Sequence, residues 1–117
     1  MPYTVTKTTN YPHDPQTVFT AAKGAMEGLE GKLSEDSADE LKLAANFHKT
    51  ILGKVLGDRA FMQVQISAGD GGSSNLEMTA YPLDAIGSKL QFGARKGALK
   101  TLITWFDAHL DHRLPKD

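Results

Sequence analysis

A glycine-rich, basic segment precedes an apolar helical pattern near the end of the chain. Residues 87–97 read GSKLQFGARKG, which places Arg95 and Lys96 where a helix would begin. The free amides of a helix N-terminus carry partial positive charge, so cations there are unfavourable unless an anion offsets them. Free amides and cations together bind phosphate or carboxylate groups. The sequence therefore offers Arg95 and Lys96 as residues for the anionic end of a ligand; the alternative, which we favour for this segment, is a solvated loop.

Pro2 is a second candidate, because removal of Met1 would leave it as an N-terminal secondary amine. Such an amine, when desolvated, can act as a general base near neutral pH. Met1-Pro2 followed by a strand and a helix resembles the tautomerase family, and this resemblance implies that Pro2 is the catalytic base of an isomerase. The alternative, which we favour, is that Pro2 belongs to a frayed terminus.

Two histidines, His109 and His112, lie three residues apart in the last helical pattern. Two imidazoles at this spacing can share a metal ion, but a catalytic zinc needs a third protein ligand, and the sequence identifies none. Histidine near a helix C-terminus is also favoured by the helix dipole alone. We therefore expect neither a metal site nor a cofactor.

Residues 48–59 hold an apolar cluster, bounded by glycines, without the pattern of a regular strand. The cluster consists of Ile51, Leu52, Val55 and Leu56. It could cap the core, line a ligand entrance or form a contact patch. Lys49, Lys54 and Arg59 around it would suit an acidic partner or a lipid head group.

Three aromatic residues add to these candidates. Trp105 adjoins Phe106 on the last helix, so one of the two lies off the apolar stripe, and we expect Trp105 at the boundary between sheet and helix. Phe61 and Tyr81 fall on outward strand positions, where they could form a dimer face or a shallow binding surface.

Two helices position these residues. Asp14-Pro15 is typical of a helix start, because Asp caps free amides and Pro fits the first helical position. The first apolar stripe is Val18, Ala22, Ala25, Met26 and Leu29; the second is Leu99, Leu102, Ile103, Phe106 and Leu110, in a helix from about 94 to 112 ended by Pro115.

Five strands are predicted from β-branched content and from alternation of apolar and polar residues. They cover Tyr3–Thr9, Lys32–Asp36, a strand with Leu41, Leu43, Ala45 and Phe47 inward, one with Met62, Val64, Ile66 and Ala68 inward, and one with Leu76, Met78 and Ala80 inward. The order β-α-β-β-β-β-α predicts an α+β two-layer sandwich, with an antiparallel-rich sheet and both helices on one face.

The composition excludes several classes of protein. The 117 residues fit a single domain, 1–117, and thirteen Lys and Arg against fourteen Asp and Glu argue against a nucleic-acid binder. The absence of cysteine excludes disulfides and thiolate catalysis. No apolar run is long enough to cross a bilayer, so we expect a cytoplasmic protein without integral membrane association.

This element order resembles the TATA-binding-protein-like architecture and a shortened helix-grip (START/Bet v 1-like) domain. The segment His13-Asp14-Pro15-Gln16-Thr17-Val18-Phe19 is similar to the strand-to-helix entry of many helix-grip proteins. The resemblance covers the whole chain at the level of topology, and it implies a ligand between the sheet and the last helix.

We therefore expect a small, non-enzymatic accessory or binding module for an apolar or amphipathic anionic ligand. Its contact residues would be Trp105, Ile51, Leu52, Val55, Leu56, Arg95 and Lys96. Two alternatives remain: a tautomerase-like isomerase that uses Pro2, and a homodimer or larger homo-oligomer that uses the outer sheet face around Phe61 and Tyr81.

Overall fold

The fold consists of seven strands, two α-helices and one turn of 3-10 helix (Asp70–Gly72) within the part of the chain that the structure describes. The structure is a computed structural model, and it describes residues 4–48, 50–55, 59–83 and 98–114. In chain order the elements are β1 (Val5–Tyr11), α1 (Pro15–Gly28), β2 (Lys32–Ser37), β3 (Lys42–Phe47), β4 (Thr50–Ile51), β5 (Lys54–Val55), β6 (Arg59–Ala68), β7 (Ser74–Leu83) and α2 (Ala98–Arg113).

Five of the strands form one antiparallel sheet in the order β1-β7-β6-β3-β2, and both helices pack on the same face of it. The predicted α+β two-layer sandwich is therefore confirmed. Strands β4 and β5 form a separate hairpin in the segment for which the sequence predicted no regular strand. Among the described residues, no helix is long and apolar enough to cross a membrane.

The core lies between the sheet and the helices, and alternation along the strands assigned most of its residues correctly. The inward residues of β6 and β7 are buried, as is the α2 stripe from Leu102 to Leu110. Ala68, which was expected inward, is instead exposed because it lies at the β6–β7 hairpin tip. Ala44, which was expected outward, is buried because its methyl group lies between the longer side chains of Glu35 and Gln63.

Helix α1 has a well-defined start and a compact end. Asp14 accepts a hydrogen bond from the Thr17 amide at 3.1 Å, which is the predicted cap. At the other end Glu30 adopts a left-handed conformation, with φ 63°, and the Gly31 amide donates to the Met26 carbonyl at 2.9 Å. This Schellman arrangement normally places glycine where Glu30 stands. Glu30 therefore occupies a position that glycine would fill with less strain.

Each edge strand of the sheet holds one charged side chain on its inner face. On β1, Lys7 forms an ion pair with Asp107 of α2. On β2, Asp36 pairs with Lys23 of α1 at 2.7 Å, after a bulge at Ser34 that shifts the register with β3. Each helix is thus tied to the nearer edge of the sheet by an ion pair.

We expect Gly31→Ala to lower the free energy of unfolding by about 1–3 kcal/mol, the range for an overpacked core. An added Cβ would lie 2.6 Å from Cε1 of Phe47 and 2.9 Å from the Met26 carbonyl oxygen, and that carbonyl cannot move without disturbing the helix. Urea denaturation measures the effect.

Gly24→Ala is the matched control, because its Cβ meets only the flexible side chain of Arg113, at 2.8 Å. Alanine has a higher helix propensity than glycine, by up to about 1 kcal/mol, and this gain offsets the cost of displacing the Arg113 side chain. Equal losses for the two variants would contradict this account.

Candidate functional site

An open groove of about 210 Å³ lies between the β4–β5 hairpin and α2, beside the end of α1. Its lining residues are Leu29, Ile51, Leu52, Lys54, Trp105, Ala108 and His109. Sites for drug-sized ligands usually measure about 300–1,000 Å³, so this groove suits a single ring or a short alkyl chain.

Trp105 and Lys54 together combine an apolar surface with a positive charge. The Trp105 indole packs partly against the core, and the Lys54 ammonium lies 5.9 Å from its ring centroid, within the range of a cation–π contact. An apolar group resting on the indole would therefore have a cation at one end. This arrangement suits a ligand with a flat or aliphatic body and an anionic group.

The hairpin turn places an apolar side chain at the mouth of the groove in an unfavourable backbone conformation. Leu52 and Gly53 have φ values of 51° and 79°. Two positive φ angles define the tight hairpin turn that Asn-Gly favours, and a leucine in its first position is strained. Leu52 is nevertheless 55% exposed, so core burial does not account for the leucine.

A hydrogen bond fixes this turn to the end of α1. The Leu52 amide donates to Glu30 Oε1 at 2.6 Å. Both residues have a left-handed backbone, so the bond joins two strained positions. It sets the distance between the hairpin and Leu29, which lines the same groove.

His109 forms the far wall of the groove as a neutral imidazole. Burial lowers its pKa below 6.5, and the nearby charges of Arg113 and His112 lower it further. Arg113 Nη1 donates to the His109 carbonyl at 3.0 Å and lies 3.3 Å from Nδ1, which accepts when it carries no proton. At neutral pH the positive charge in the groove therefore belongs to Lys54.

The structure brings together three of the residues proposed from the sequence: Trp105, Ile51 and Leu52. For Val55 it shows only a position in β5. Four further candidates lie outside the described residues: Pro2, Leu56, Arg95 and Lys96. Their proposed roles stay predictions.

Sequence reasoning did not assign Leu29, Lys54 and His109 to the groove, although the sequence context of each gave some indication of its position. Leu29 ended an apolar stripe, Lys54 stood among the basic residues of the hairpin segment, and His109 was considered only as a metal ligand. Across residues 4–48, 50–55, 59–83 and 98–114, no three His, Cys, Asp or Glu side chains are grouped to hold a metal ion.

Comparison with solved structures shows similarity over nearly the whole chain. Ara h 8.0201 matches with 10% identity and a TM-score of 0.62, covering 97% of this chain and 98% of its own. A protein from Chromobacterium violaceum matches with 8% identity and a TM-score of 0.62, covering 99% and 100%. The Zhui aromatase/cyclase from a Streptomyces species matches with 8% identity and a TM-score of 0.50, covering 97% and 87%.

These similarities concern the fold alone. Ara h 8.0201 and the aromatase/cyclase have the helix-grip fold, so the resemblance expected from the element order is confirmed at that level. No protein-family model and no curated protein matches the chain. The likeness to the TATA-binding-protein-like architecture stays a prediction.

We expect the stability that neutral His109 contributes to be complete above pH 6.5 and to fall as the pH decreases below it. The folded-state pKa is lowered, so the unfolded chain takes up the proton first and acid favours unfolding. Urea midpoints at neutral and mildly acidic pH measure this effect. His109→Gln should flatten the dependence, whereas His112→Gln, which removes only the smallest cause of the shift, should reduce it slightly.

Leu52→Asn should raise the free energy of unfolding by about 0.5–1 kcal/mol, because Asn tolerates the left-handed conformation that leucine resists. Thermal and urea denaturation measure the gain. Leu52→Ala is the control, since alanine shortens the side chain but lacks the polar group through which asparagine favours the left-handed conformation. A gain of similar size in Leu52→Ala would show that backbone strain is not the cause.

Proposed function

We propose that this chain is a small, non-enzymatic binding module that holds an amphipathic ligand with an anionic end between the β4–β5 hairpin and α2. The observation that carries the proposal is the Lys54 ammonium 5.9 Å from the Trp105 ring centroid, in a groove with otherwise mainly apolar walls. The resemblance to helix-grip structures adds support, because the groove lies beside the C-terminal helix, where that resemblance led us to expect a ligand.

The division of the groove into apolar and charged parts determines the chemistry of the ligand. Leu29, Ile51 and Trp105 offer apolar surface, whose burial contributes about 25 cal/mol per Å² removed from water. Lys54 forms none of the ion pairs found among the described residues, so an incoming carboxylate or sulfonate would not have to displace an ion-pair partner described there. Because His109 is neutral, covering it with the apolar body of the ligand does not remove a charge from water.

The proposal gives a reason for a leucine at position 52, where this residue type does not stabilise the fold. An exposed leucine in a strained turn has no structural advantage over asparagine, whereas at the mouth of the groove it could cover a bound apolar group. Strain at a position that also lines a pocket is a common property of functional sites.

The test uses Trp105, the single tryptophan of the chain, as the reporter. Titration with decanoate and with decanol compares two ligands of equal length, one anionic and one neutral. We expect decanoate to shift the fluorescence of Trp105 and to bind more tightly than decanol. Lys54→Met should weaken decanoate by about two- to fivefold and leave decanol unchanged.

Lys100→Met is the matched control, because it removes the same charge from an exposed position of α2 outside the groove. Leu52→Asn should weaken both ligands while the protein itself becomes more stable. If neither ligand shifts Trp105, or if Lys54→Met and Lys100→Met weaken decanoate equally, the proposal is wrong.

A further inference from the structure

A second pocket, lined by none of the residues of the groove, lies at the end of the sheet where β2 and β6 begin and β3 ends. Its volume is about 160 Å³, and it is lined by Lys32, Asn46, Phe47, His48, Arg59 and Leu83. Lys32 begins β2, His48 follows β3, and Arg59 begins β6, so three neighbouring strands each bring one basic residue to this end.

The strand register places these basic side chains on the face away from the helices. Lys32 pairs with Asn46, and Arg59 pairs with Leu83. Ala45, which precedes Asn46, and Ala60, which follows Arg59, belong to the core. Because successive side chains along a strand point to opposite faces, Asn46 and Arg59 point away from the core. The basic residues thus share the outer face, opposite the helix-covered side.

No acidic side chain lines this pocket among the described residues. The ion pairs among the described residues are Lys7–Asp107, Lys23–Asp36 and Lys42–Glu40. None of them includes a residue of the pocket. Lys32, Arg59 and the exposed His48 therefore converge with no acidic partner in the part of the chain that the structure describes. Such an arrangement suits a dianion better than a single carboxylate.

A pair of aromatic rings adjoins the pocket. Phe61 and Tyr81 pair across β6 and β7, and their ring centroids are 5.1 Å apart with planes inclined by 28°. Each ring lies two residues from the pocket along its strand, from Arg59 and from Leu83, which is a distance of about 6.6 Å. Asn46, in the pocket lining, is the register partner of Phe61. A flat polar and aromatic surface thus continues directly from the basic pocket.

We propose that this outer face binds a small phosphate monoester attached to a planar ring, of the class of a nucleoside monophosphate. The phosphate lies among Lys32, His48 and Arg59, and the ring lies against the Phe61–Tyr81 pair. Phosphate accepts charge-assisted hydrogen bonds from Lys and Arg, and a planar ring stacks on an aromatic side chain whatever its substituents. This site is independent of the groove beside Trp105.

The experiment follows backbone amide NMR shifts of the full chain during separate titrations with adenosine monophosphate, adenosine and inorganic phosphate. We expect the monophosphate to shift the amides of Asn46, Phe61 and Leu83 and to bind more tightly than either fragment. Trp105 should not respond. Arg59→Gln should weaken the monophosphate about tenfold, and Lys100→Met, which removes a distant charge, by about twofold or less.

Phe61→Leu separates the ring contact from the phosphate contact, because it keeps an apolar side chain and removes the aromatic face. It should weaken the monophosphate but leave inorganic phosphate unchanged. Equal affinity for the monophosphate and for inorganic phosphate would overturn the proposal, as would shifts confined to the groove. Light scattering checks for a dimer. If a dimer forms with Phe61 in its interface and does not bind the monophosphate, a second copy of the chain occupies this face and the proposal is wrong.

Discussion

The hydrogen bond from the Leu52 amide to the Glu30 carboxylate joins the end of α1 to the β4–β5 hairpin, and the groove depends on that junction. Ile51 anchors β4 in the core, and the hydrogen bond fixes the exposed turn that follows it. The carboxylate stands at a helix end where glycine is the usual residue. A glycine would relieve the backbone but could not reach the hairpin, so the strained glutamate connects two elements that the sheet does not join.

The five-stranded sheet separates the two proposed sites. Its inner face is covered by both helices and is mostly apolar, and its two charged residues, Lys7 and Asp36, lie on the edge strands. The charge in the groove comes from Lys54, on the separate β4–β5 hairpin. The outer face of the sheet carries polar residues with one aromatic pair and a basic end. The alternation of side chains along β3 and β6 thus assigns core packing to one set of residues and leaves the other set available for polar ligands.

Patterns that depend on near neighbours could be predicted from the sequence. Alternation identified the five strands of the main sheet, and the α1 start followed from Asp14 and Pro15, because capping is a local interaction. The β4–β5 hairpin escaped this reasoning. Its turn contains Leu52 at a position where Asn or Gly is the usual signal, and its strands are too short to show alternation.

The candidate site, too, could be predicted from the sequence only where it depends on neighbouring residues. Trp105 could be placed at the helix boundary because Phe106 beside it belongs to the apolar stripe. Lys54 could not be placed above it, since that position depends on the unpredicted hairpin and on a side chain of Glu30 that is 22 residues away from Leu52. The inward charges of the sheet, Lys7 and Asp36, were equally hidden, because their partners lie on the helices.

Those two inward charges also affect how copies of the chain behave toward one another. An edge strand exposes unpaired amides and carbonyls that invite a strand from another molecule, and an inward-pointing charge is a common obstacle to such pairing. A strand added beside β1 or β2 would have to cover Lys7 or Asp36 and the helix residue paired with it. The bulge at Ser34 further distorts the β2 edge. The ion pairs that fasten the helices to the sheet therefore also guard both edges against edge-to-edge aggregation.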